Sequence, residues 1–176
     1  MTKQELEECI DLYGRDIYSF CRHLTGNVQE ADELYQDTWL KVVELLENID
    51  PAGNAKSYCL SVALKIWKNK KRKYAWRKRI AGTQDRLDEK SQEYLPDEGT
   101  TSEERILEKE RNRLVWEAVN ELQEKLKTVT LLYYMEELDT SQIAEVTNVS
   151  VGTVKSRLYH ARKLLRKKLE GVLNEE

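Results

Sequence analysis

Residues 138–165, LDTSQIAEVTNVSVGTVKSRLYHARKLL, decide the fold: they read as two short helices joined by a tight turn. Asp139 or Thr140 can cap the first helix, Ile143 and Val146 supply its apolar face, and Ala144 is small enough for another helix to cross closely. Asn148 provides the turn, because asparagine tolerates the left-handed conformation, and Ser150 can cap the helix that follows. In that second helix Val154, Leu158, Ala161 and Leu165 share one face, which is the face a core requires. Thr153, Ser156, Arg157 and His160 are left on the outer face, with Lys155 and Tyr159 at its margins, where a recognition helix presents side chains to the major groove. Arg162, Lys163, Arg166, Lys167 and Lys168 suit phosphates or water better than base edges. The alternative, a solvated basic helix in a bundle, does not account for cap, turn and small residue falling together.

Working outward, the rest of the chain carries the same helical period. Leu6, Ile10, Tyr13, Ile17 and Phe20 recur at spacings of three and four, and Gly26-Asn27 ends that run. A second helix from about Gln29 collects Ala31, Leu34, Tyr35, Thr38, Val42, Leu45 and Leu46 on one face and turns Asp32, Glu33, Gln36 and Asp37 outward, ending before Asp50-Pro51-Ala52-Gly53. The third starts near Asn54, apolar through Leu60, Ala63, Leu64 and Trp67 and cationic afterwards. Periodicity fades over 81–105, where Gly82, Pro96, Gly99 and many charges indicate a linker, and resumes with Ile106, Leu107, Leu114, Val115 and Ala118, then Leu122, Leu126 and Val129 to Met135. The expected architecture is all-α: two small helical domains, 1–80 and 106–176, joined by a flexible acidic linker, the second containing the helix-turn-helix. Hydrophobic residues at 40%, charged residues at 35% and only two prolines fit a helical, water-exposed chain.

A formal net charge of −3 argues against nucleic acid only until the charges are placed. Residues 1–50 hold twelve acids and four bases, whereas Lys65 to Ile80 hold nine bases and no acid. Residues 81–110 return to ten acids and four bases, and Lys155 to Lys168 add seven bases without an acid. Two positive patches in an acidic chain point to phosphate at the patches and a different macromolecule at the acidic faces. In the first patch Lys65, Lys68, Asn69, Lys71, Arg72, Lys73 and Arg77 interleave with Trp67, Tyr74 and Trp76, a mixture that attracts a backbone and lets unpaired bases stack. Trp67 continues the apolar face of Leu60 and Ala63 and reads as core; Trp76 is open between core and stacking.

Several classes are set aside. Cys9, Cys21 and Cys59 are odd in number and widely spaced, which argues for a reducing compartment, small buried thiols and no disulfide framework. Cys21 and His23 match no familiar zinc spacing, and His23 reads as a surface or cap residue. No glycine-rich phosphate loop or nucleophile constellation stands out, so neither an enzyme nor a cofactor is expected. No stretch approaches the roughly 20 apolar residues of a membrane span, and the acidic N-terminus is unlike a secretory signal. A cytoplasmic protein is expected.

Val151-Gly152-Thr153-Val154-Lys155-Ser156-Arg157-Leu158, followed by Ala161-Arg162, resembles the promoter-reading helix of extracytoplasmic-function (ECF) sigma factors, the small bacterial members of the sigma-70 family. Glu30 to Leu40 is similar to the segment with which that family docks on the coiled coil of the polymerase β′ subunit. The resemblance implies a polymerase-binding set of Asp32, Glu33, Gln36, Asp37 and the aromatic anchor Trp39. It implies −10 element recognition and melting by Lys65, Lys68, Asn69, Lys71, Arg72, Lys73, Tyr74, Trp76 and Arg77, and −35 recognition by Ser150, Thr153, Lys155, Ser156, Arg157, Tyr159, His160 and Lys163. Core RNA polymerase, through its β′ coiled coil and β flap, promoter DNA and an anti-sigma factor are the implied partners, without membrane insertion. The chain departs from the pattern at Lys65, where asparagine is frequent, at Asn69 for aspartate, at Gln123 for proline and at His160 for a basic residue. The rivals are a conventional dimeric helix-turn-helix regulator, which would bind its operator without polymerase, and a helical RNA-binding or interaction protein.

Overall fold

The computed structural model describes residues 2–46, 53–81 and 103–173. Its elements are α1 (Lys3–Thr25), α2 (Val28–Glu44), α3 (Ala55–Ala81), α4 (Glu103–Asn120), α5 (Glu124–Thr130), a π-helical turn (Leu131–Met135), α6 (Thr140–Thr147) and α7 (Val151–Leu173). The all-α architecture is the one expected, and no strand occurs among the described residues. Most of the expected linker, and the expected end of the second helix at Asp50-Pro51-Ala52, lie outside the described residues.

Local chemistry sets the N-terminal boundaries. Thr2 and Glu5 form a reciprocal capping box, with the Glu5 amide donating to Thr2 Oγ1 at 3.2 Å and the Thr2 amide donating to Glu5 Oε2 at 2.6 Å. Gly26 ends α1 at φ +70°, and its amide donates to the Arg22 carbonyl at 2.9 Å. Asn27 immediately begins α2, its Oδ1 accepting from the Glu30 amide at 3.0 Å. Where α1 and α2 cross, a Cβ on Gly14 would meet the Tyr35 hydroxyl at 3.1 Å, so glycine lets the helices approach there.

Ile17 and Phe20 of α1, Leu34 and Val42 of α2, and Leu60 and Leu64 of α3 are fully buried and form the N-terminal core. In the C-terminal half Val129, Leu131, Leu132, Ile143, Val154 and Leu158 play the same part. The two sets do not close separately. They belong to one contiguous cluster running from Leu6 to Leu158, with α3 packed on α6 and α1 on the π-helical turn. Each half alone buries little apolar area, so fusing the cores adds stabilisation that neither has by itself.

The apolar face expected at the start of α4 differs from the structure. Ile106 and Leu107 are 67% and 59% exposed and Val115 is also exposed, so burial begins only with Ala118, Val119 and Leu122. Arg113 instead bridges Glu110 and Glu117 along the outer surface of this helix.

Candidate nucleic-acid interface

The reading helix is built by its neighbour and its turn. Asp139 is the cap of α6: its Oδ1 accepts from the amides of Ser141 and Gln142, each at 2.8 Å, while Gln142 Oε1 accepts from the Asp139 amide at 2.9 Å. Asn148 takes the left-handed conformation at φ 54° and ψ 51°, and Ser150 Oγ accepts from the Thr153 amide at 3.2 Å. Val154, Leu158 and Ala161 are buried, which turns Lys155, Ser156, Tyr159, His160 and Lys163 to solvent and leaves Thr153 and Arg157 half-buried.

Arg162, expected to meet phosphates or water, is exposed and has a partner within the chain. Its Nε donates to the Tyr134 hydroxyl at 2.7 Å, and its guanidinium lies over the Tyr133 and Tyr134 rings at 5.3 and 5.7 Å. That hydrogen bond raises its pKa further above the usual arginine value. Arg162 therefore ties α7 to the π-helical turn. Lys168 pairs with Glu121, in the turn that follows α4.

The cationic half of α3 extends from the core as an exposed helix. Tyr74 and Trp76 are 64% and 60% exposed, among the exposed Arg72, Lys73 and Arg77, whereas Trp67 is buried as its periodicity predicted. Asn69 Oδ1 accepts from Arg72 at 3.2 Å, and Lys71 Nζ lies 2.5 Å from Glu124 and over the Trp67 ring. Lys65 is exposed. Lys68 and Arg157 line one crevice of about 450 Å³ between α3 and the C-terminal helices, together with Gln123, Lys125 and Thr128. Burial and the nearby Arg157 charge pull the Lys68 ammonium below its usual pKa.

On the acidic face of α2, Asp32 accepts from the Tyr18 hydroxyl at 2.8 Å, and that bond raises the Tyr18 pKa. Asp37 and Glu33 face Lys70 at 2.8 and 3.7 Å, and Gln36 is exposed. Trp39, expected as an aromatic anchor for the polymerase, lies on the core side of α2. It is 9% exposed and stands edge-on to Tyr35 at 6.1 Å, because its place on α2 falls beside Thr38 and Val42 on the core side.

Two features were missed from the sequence. Glu136, directly after the π-helical turn, is buried, and Lys56 Nζ lies 2.9 Å from its carboxylate and 2.8 Å from Asp16. Burial raises the Glu136 pKa although Lys56 opposes the shift; burial also pulls on Lys56, but its hydrogen bonds to Asp16 and Glu136 carry it above the ordinary lysine value. His23 is no surface cap residue: it stacks on Trp116 with ring centroids 3.7 Å apart, and burial, with Lys127 and Arg22 nearby, pushes its pKa down to about 4. A lone acid and a lone histidine in a charge-rich sequence carry no signal for either arrangement. The cysteines are buried thiols as expected, Cys21 and Cys59 being pushed up to about 12 by burial.

A helix-turn-helix and an exposed basic, aromatic helix give the chain two surfaces of the kind that suit nucleic acid. Residues 9–77 match the family model for sigma-70 region 2, and residues 112–165 match the model for sigma-70 region 4. The chain belongs to the sigma-70 family, and within it to the ECF class of alternative sigma factors. It is 28% identical over 166 residues to the ECF RNA polymerase sigma factor SigW of Bacillus subtilis, an alignment covering 92% of this chain and 87% of the relative. It is 28% identical over 158 residues to the ECF RNA polymerase sigma-E factor of Haemophilus influenzae, covering 85% and 81%. Among solved structures, the sigma factor RpoE in complex with the anti-sigma factor NepR from Bartonella quintana shares the fold with a TM-score of 0.79 at 19% identity, over 95% of this chain and 98% of that one. CnrH in complex with the cytosolic domain of CnrY does so with a TM-score of 0.65 at 18% identity, over 97% and 90%.

Proposed function

We propose that the acidic face of α2, through Asp32, Glu33, Gln36 and Asp37, seats the protein on the β′ coiled coil of core RNA polymerase, and that the C-terminal unit meets the β flap. Residues 1–80 and 106–176 then act as the two working units and 81–105 as the connection. The exposed Tyr74 and Trp76 among Lys73, Arg72 and Arg77 hold the melted −10 strand, since a stacked base contributes about 1–3 kcal/mol towards keeping it unpaired. Ser150, Thr153, Lys155, Ser156, Arg157, Tyr159 and His160 read the −35 duplex, and Lys163 binds its backbone. The protein makes and breaks no bond; it positions the polymerase, in the cytoplasm, and an anti-sigma protein controls it, as NepR pairs with the RpoE of similar fold. No helix among the described residues is long and apolar enough to cross a membrane.

The observation that carries this reading is the pair of exposed faces on one chain, a basic aromatic helix and a helix-turn-helix, joined to an acidic face that suits neither DNA strand. The experiment is fluorescence anisotropy of the labelled protein titrated with core RNA polymerase, without DNA. Saturable binding competed by an established sigma factor is expected; a folded dimer that ignores polymerase would favour the conventional regulator.

A further inference from the structure

The acidic face of α2 is already engaged from inside the chain. Lys70 of α3 reaches across to it, with Nζ 2.8 Å from the Asp37 carboxylate and 3.7 Å from that of Glu33. Glu33 and Asp37 stand one helical turn apart on α2, so a single ammonium serves both. Asp32, beside them, is held differently: it accepts from the Tyr18 hydroxyl at 2.8 Å, a neutral donor that leaves its charge in place.

Ionised carboxylates only accept hydrogen bonds, so what a partner must bring to Glu33 and Asp37 is a donor, best a positively charged one. That donor and Lys70 compete for the same oxygens. The side chains of Lys70, Glu33 and Asp37 are 39%, 60% and 44% exposed, which keeps the attraction small and exchangeable, since water solvates each charge once the contact breaks. Two features keep it from being negligible. One ammonium bridges two acids, a small network rather than an isolated pair, and Lys70 belongs to the run from Lys65 to Ile80 that holds nine bases and no acid, so like charges along α3 favour its turning to α2. Docking then exchanges one cation for another at the two acids and sends Lys70 to water.

We infer that Lys70 is an internal competitor for polymerase: it occupies the acidic docking face of the free protein, and a cation of the partner displaces it from Glu33 and Asp37 when the protein docks. The inference rests on the docking role proposed above for α2.

The test is a titration of the labelled full-length protein with core RNA polymerase, followed by anisotropy at about 0.05 and 0.5 M salt. Lys70→Met removes the competitor and should tighten binding by about two- to fivefold at the lower salt, a gain that disappears at the higher. Lys70→Arg supplies a stronger competitor, able to hold a carboxylate through two N–H groups, and should weaken binding by about twofold or more. Lys41→Met removes a positive charge from α2 that is paired with Glu44 at 2.7 Å, and should shift affinity less than Lys70→Met does. A merely structural brace predicts the opposite order, with arginine tolerated and methionine weakened, and that order overturns the inference. Equal binding by wild type, Lys70→Met and Lys70→Arg at the lower salt overturns it too. Asp32→Arg, in the same titration, separates the two readings. If it is weakened while Lys70→Met is not tightened, the competitor alone fails; if it binds as the wild type does, the docking face fails and the competitor with it.

Discussion

The imidazole of His23 lies flat against Trp116, centroids 3.7 Å apart and planes 11° from parallel, joining α1 to α4 across the boundary between the two sigma regions. The stack is made by a neutral ring, since burial first and then Lys127 of α5 and Arg22 of α1 disfavour its protonation.

A pH dependence follows. The pKa of about 4 in the folded protein lies below the ordinary histidine value of 6.5, so between them the unfolded chain binds the proton that the folded one refuses. Stability attributable to this group is full above about pH 6.5 and declines as pH falls towards 4, by at most about 3 kcal/mol at 1.36 kcal/mol per unit. Urea midpoints measured between pH 7.5 and 4.5 should fall more steeply for the wild type than for His23→Phe, which keeps a ring against Trp116 and has nothing to titrate.

Asp139 accepts from two amides at the start of α6, and its loss leaves those donors unpaired. Asp139→Ala should lower stability by about 1 kcal/mol, while Asp139→Ser should recover most of it, both read from chemical denaturation.

Asp32 projects from α2 and is held by the Tyr18 hydroxyl. Asp32→Arg should weaken core-polymerase binding by about tenfold or more without loss of helical signal, and Tyr18→Phe should have a much smaller effect. Equal polymerase affinity in wild type and Asp32→Arg would remove α2 from the docking surface.

Arg157 is half-buried on α7, and arginine is the side chain that pairs bidentately with a guanine edge. Arg157→Ala, assayed in holoenzyme on promoter DNA, should cost about 1–3 kcal/mol of upstream affinity and relax preference at a single base pair. Lys163→Ala should weaken binding to all sequences alike and flatten its salt dependence.

Much of the molecule was readable before the structure. The spacing from Leu6 to Phe20, the Gly26-Asn27 break, the caps at Asp139 and Ser150 and the turn at Asn148 are local matters, settled within four or five residues by backbone hydrogen bonding and steric permission. Other features depend on distant neighbours. Ile106 and Leu107 have an apolar pattern but stay exposed among the described residues, Trp39 takes a place on the core side of α2, and Arg162 is engaged by two tyrosines.

The sequence by itself determined the helices, the helix-turn-helix and the placing of charge in two basic blocks, because each depends on residues close along the chain. Only the tertiary structure decided that the two cores fuse, that Lys56 finds Glu136 across 80 residues, and that Lys68 and Arg157 share one crevice. Those pairings depend on where whole helices pack. Packing follows from the summed burial of many side chains, and no single residue in the chain announces it.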